Sequence, residues 1–98
     1  MHLEAGDSVI IVLHSPREKV IGILHEIGAA GIFVRGIDLS YFEEWTSAIK
    51  NGEPYLPMQE YFFPMWRVER ATRDESSFEM PSLAEQFRQK TGLDLADF

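Results

Sequence analysis

No cysteine occurs among the 98 residues, so disulfides and thiolate metal sites are excluded. Long apolar runs are also missing. The longest is Val9-Ile10-Ile11-Val12-Leu13, where a membrane-spanning helix needs about twenty apolar residues. The opening stretch Met1–Asp7 has neither a basic cluster nor an apolar core, which implies no secretory leader, no membrane partner and a cytoplasmic location. Positive charge is scarce: 9 Lys and Arg stand against 16 Asp and Glu, a formal net charge of −7. The deficit deepens along the chain, from three basic against five acidic residues in 1–40 to six against eleven in 41–98. Such a surface repels phosphate backbones and argues against a nucleic-acid partner.

Signals for catalysis and for bound groups are equally thin. The histidines are His2, His14 and His25, one terminal and two near opposite ends of a hairpin, so no metal-ligating spacing arises. Ser15, His14 and Asp7 make a poor nucleophilic set, because neighbours on an extended chain point apart. Gly28, Gly31 and Gly36 precede no helix start and form no phosphate cradle. No enzyme, metal or cofactor is expected.

What is abundant is aromatic and β-branched surface. Twelve aromatic residues are spread along the chain, among them Phe33, Trp45, Tyr61, Phe62, Phe63, Trp66 and Phe87. Val9–Leu13 reads as a strand apolar on both faces, and Lys19–Ile27 as a longer one with Gly22 at a bend. Ile32–Ile37 follows after the tight Gly28–Gly31 link, completing a meander. The period then changes. Ser40 and Glu43 form a capping-box pattern ahead of Tyr41, Phe42, Trp45, Ala48 and Ile49, one face of a helix over 40–50 that Asn51-Gly52 ends. Gln59–Phe63 and Arg67–Ala71 read as two short strands on either side of Pro64. Ser82 and Glu85 open a second helix that stops at Thr91-Gly92, and Leu93, Leu95 and Phe98 make an apolar tail within the additions at 82–98.

This order of elements implies one domain over 1–98, mainly β with α additions: a strongly bent five-stranded antiparallel barrel, a helix between strands 3 and 4, and a C-terminal helix. The strand Val9–Leu13, the turn Ser15-Pro16-Arg17 and Ile21-Gly22-Ile23-Leu24 resemble the first motif of the Sm-like proteins. Phe62-Phe63-Pro64-Met65-Trp66-Arg67-Val68-Glu69 is similar to that family's fourth strand, single helical turn and fifth strand. The resemblance implies a small SH3-like barrel and, through the family's habit of forming rings, self-association. It does not carry the family's uridine pocket. Gly28 and Ile32 stand where an acidic residue and an asparagine belong, and Glu69-Arg70-Ala71 replaces the closing Arg-Gly or Lys-His signature.

Two candidate sites follow. Arg67, Arg70 and Arg73 form a basic patch, diluted by Glu69, Asp74 and Glu75, that would serve an RNA-binding regulator. Tyr61, Phe63 and Trp66 are candidate contacts of a homo-oligomer, ring or dimer, because the first strands offer two apolar faces and the second face needs a cover. The chain therefore reads as a non-enzymatic, self-associating protein-binding or scaffold module, with the RNA regulator as the alternative.

Overall fold

Short connections leave consecutive apolar segments little geometry but antiparallel pairing, and the computed structural model, which describes residues 2–98, has that arrangement. Its elements are β1 Ser8–Leu13, β2 Glu18–Ile27, β3 Gly31–Asp38, α1 Phe42–Lys50, β4 Gln59–Pro64, β5 Val68–Arg73 and α2 Leu83–Thr91. Single 3-10 turns lie at Leu39–Tyr41, Met65–Arg67 and Leu95–Asp97. The five strands form one antiparallel sheet in the order β4-β3-β2-β1-β5, so the last two strands of the chain are its edges. A mainly β structure with two helical additions agrees with the expectation from sequence. The clearest shift is at β5, which starts at Val68 and runs to Arg73 because the 3-10 turn takes in Arg67.

Alternation along the strands builds two cores, one on each face of the sheet. Val9, Ile11, Leu13, Val20, Leu24, Ile32, Val34 and Phe63 are buried together on the first. Ile21 and Ile37 point the other way, into a second cluster with Phe42, Trp45, Met58, Phe87 and Leu95. Ile10 and Ile23 pack at its margin. The second apolar face therefore has an intrachain cover made by α1, α2 and the C-terminal tail. Trp45 is its centre, fully buried, stacked on Phe87 at 5.3 Å between ring centroids and met edge-on by Phe98 at 5.6 Å. Its indole nitrogen donates to the Leu56 carbonyl at 2.8 Å, which ties the loop after α1 to the helix.

Glycine at two facing positions brings β2 and β3 together. Gly22 pairs with Gly36, and a Cβ on Gly22 would lie 2.4 Å from the Arg35 carbonyl oxygen. Sequence alone marks Gly22 as a place for a bend or a close approach; the structure sets it opposite Gly36 in a close approach.

Helix ends depart from the expected boxes. Ser40 and Glu43 do not cap α1. Asp38 instead accepts from the Ser40 amide at 2.8 Å and the Ser40 hydroxyl at 2.6 Å, because the Leu39–Tyr41 turn comes first and delays the helix to Phe42. At α2 Ser82 does cap, accepting from the Glu85 amide at 3.1 Å, and Gly92 ends the helix at φ 75°. Asp74, a residue that no sequence signal marks, adds a second set of bonds there. Its carboxylate accepts from the Leu83 and Ala84 amides at 2.8 and 2.9 Å and from the Ser8 hydroxyl at 2.9 Å. One side chain thus ties the start of α2 to β1, and its negative charge suits the helix N-terminus.

Two outcomes are expected from this packing. Gly22→Val should lose on the order of 3 kcal/mol in urea unfolding, as overpacked sites do, since the new side chain meets backbone rather than a movable group. Trp45→Ala should lose about 4 kcal/mol, whereas a loss below about 1 kcal/mol would mean that the helices do not hold the second core together.

Candidate functional site

β5 alternates its side chains, and this separates the three arginines. Arg70 lies opposite Val12 and Arg73 opposite Val9, so the two sit on different faces of the sheet. Arg67 sits before the strand and closes the β1–β2 turn, donating to the Pro16 carbonyl at 2.9 Å and the His14 carbonyl at 3.2 Å, with Glu18 at 3.7 Å. Arg73 binds the Asp7 carboxylate at 3.3 Å, Glu75 at 3.2 Å and the main-chain oxygen of His2. Six residues of extended chain set Arg67 and Arg73 roughly 20 Å apart. Both are committed to holding segments of their own chain. Arg70 is exposed and makes no side-chain hydrogen bond or ion pair among the described residues.

The aromatic candidates are divided by the same alternation. Tyr61 and Phe63 pair with Val34 and Ile32 and stack on one another at 5.2 Å, facing the first core. Phe63 is only 5% exposed, and burial pushes the Tyr61 phenol above its ordinary range. Phe63 is buried, whereas Tyr61 is only partly covered. The first core, which has no helix over it, takes both rings as filling. Phe62, the residue between them, points outward instead, 45% exposed and packed on Phe33 at 4.7 Å. Trp66 is 66% exposed, with His14 edge-on at 6.4 Å. The signal that could have separated these rings was the register: an odd-numbered set facing the core puts the even-numbered ring on the surface.

His14 and Ser15 correct a second expectation. Their side chains do meet, Nδ1 to Oγ at 3.1 Å, because Ser15 takes a left-handed φ of 57° in the turn and the chain is not extended there. Asp7 is engaged elsewhere, with the Glu4 amide and Arg73. No group of three or more His, Asp or Glu among the described residues is placed to hold a metal ion. No helix is long and apolar enough to cross a membrane.

No family model, no curated sequence and no solved structure matches the chain.

The Asp7–Arg73 clip makes a prediction about acid. The Glu4 amide first, and then the Arg73 guanidinium, hold the Asp7 carboxyl below its usual range against some desolvation. Stability from such a group is present above its unfolded pKa of about 4 and is lost as pH falls through the lower folded value. Amide exchange in residues 3–8 should therefore speed up in that acid window, and Asp7→Asn should speed it at neutral pH and flatten its dependence on acid. Unchanged exchange in the variant would show that the clip holds nothing.

Proposed function

We propose that this chain is a non-enzymatic protein-binding or scaffold module that self-associates through its sheet edges, built on a small SH3-like barrel of the Sm-like kind. Three features support the barrel. The strand order sets β4 and β5 at the two ends of the sheet. The facing pair Gly22 and Gly36 lets β2 and β3 approach closely and coil. The first core is buried without a helical layer, which a sheet achieves by curling over itself.

The observation that carries self-association is the free β4 edge with its outward aromatic surface. Phe33 and Phe62 form a cross-strand pair next to that edge, and Trp66 follows on the turn into β5. Bulky rings left in water beside unpaired amides and carbonyls mark a place where another strand can add. A second copy fits it by charge. β4 carries Glu60 and no cation, while β5 presents the exposed Arg70, since Arg73 is held by Asp7 and Glu75. Joining one copy's β4 to another's β5 brings unlike charges together and is heterologous, so it closes into a ring where the rotation permits. Over Ile21 and Ile37 the second apolar face needs no partner, since α1, α2 and the tail cover it; the case for association rests on the edges. An RNA-binding reading finds less support, because Arg67 and Arg73 are used within the chain and Arg70 alone is left open.

Sedimentation at tens of micromolar is the direct test. A mass that is a multiple of 11.3 kDa is expected, and Phe62→Glu should return the protein to a monomer with its circular dichroism unchanged. A wild-type monomer under those conditions would overturn the proposal.

A further inference from the structure

The helix-covered face of the sheet is covered only in part, and a cavity opens where the cover stops. Cross-strand pairing arranges this face in rows. Ile21 and Ile37 form one row, which lies under the helices. Ile23, Arg35 and Glu60 form the next, since Ile23 pairs with Arg35 and Arg35 with Glu60. Phe33 and Phe62 form a third, which is open to solvent. A cavity of about 290 Å³ lies over the middle row, at the small end of the range for ligand sites. Met58, Ala96 and Phe98 line it from the covered side, and Phe33 and His25 from the open side.

Its acidic and basic side chains are Glu60 and Arg35, of opposite sign, with His25 and Tyr61 as further polar residues of the lining. Arg35 donates from Nε to the main-chain oxygen of Phe98 at 2.9 Å, which orients the guanidinium at the cavity wall. Its two terminal nitrogens make no hydrogen bond or ion pair among the described residues. Glu60 is its cross-strand neighbour and lines the same cavity. Side chains in such a pair start about 5 Å apart at Cβ, yet these two form no ion pair within 4.0 Å. Donor and acceptor therefore flank the space rather than closing on each other.

The chemistry of this lining selects among ligands. A guanidinium fork suits a carboxylate. A simple carboxylate, however, would also face Glu60 and a net charge of −7. A simple ammonium suits Glu60 but would face Arg35. One small molecule that carries both charges on neighbouring atoms, with an apolar group to lie between Phe33, Met58 and Phe98, answers both charges and the apolar walls. We propose that this cavity binds a free apolar α-amino acid, its carboxylate on Arg35 and its ammonium on Glu60. The site lies within one chain, and two of its lining residues, Phe33 and Glu60, also border the β4 edge.

The test is a titration of the whole chain, followed by amide and side-chain NMR shifts, with L-leucine, L-phenylalanine, 3-phenylpropionate and phenethylamine. The amino acids should give saturable shifts at Phe33, Arg35, Glu60 and Ala96. The two probes lacking one charge should bind at least about tenfold more weakly. Glu60→Gln changes an exposed side chain, so the fold survives; it should weaken the amino acids about tenfold and remove their advantage over 3-phenylpropionate. The proposal is overturned if neither amino acid saturates by ~10 mM, if 3-phenylpropionate binds as well as L-phenylalanine, or if Glu60→Gln binds like the wild type. Such a failure would leave the sedimentation result, and the assembly it reports, untouched.

Discussion

The structure depends on two strands that are apolar on both faces. β1 and β2 cannot leave either set in water: at about 25 cal/mol per Å² of apolar surface, several exposed isoleucine side chains would forgo a large part of a small protein's net stability. One face closes on strand residues and on the rings of β4. The other requires a second layer, and the chain brings its own in two pieces, from the β3–β4 connection and from its C-terminal end. Trp45 is where the pieces meet, since it touches Phe42 from its own helix, Phe87 from α2 and Phe98 from the tail.

Charge is used mainly to fasten this arrangement. Arg67 closes the β1–β2 turn, Arg73 and Asp7 hold the N-terminal segment, and Asp74 docks α2 against β1. Most of these groups are partly exposed, where single ion pairs contribute little. Their hydrogen bonds to main-chain groups matter more, because they satisfy amides and carbonyls at places where no strand or helix can. The same use explains why a run of three arginines need not be a binding patch. Two of its members are mechanical parts at opposite ends of one strand.

What remains for function is the surface that this fastening leaves open. It includes the two sheet edges, the Phe33–Phe62 pair beside one of them, and the cavity at Arg35 and Glu60. All three lie at borders: of the sheet in the first case, of its helical cover in the last. A small domain with two cores has little surface free of structural duty, so exposed rings and unpaired charges stand out against it.

The sequence by itself determined the elements. Period-two apolar runs, glycine at Gly22, the change of period at residue 40 and the stops at Asn51-Gly52 and Thr91-Gly92 are local properties, and local backbone physics acts on them directly. The need for a second cover over β1 and β2 was legible too, but not its source. Only the tertiary structure decided that the helices and tail supply it, that Gly22 faces Gly36, that Asp74 caps α2, and that Tyr61 and Phe63 turn inward while Phe62 turns out. Each of these depends on the register between segments distant in the chain. A shift of one residue exchanges every side chain between the two faces, and a pattern apolar on both faces carries no preference that would reveal which register holds.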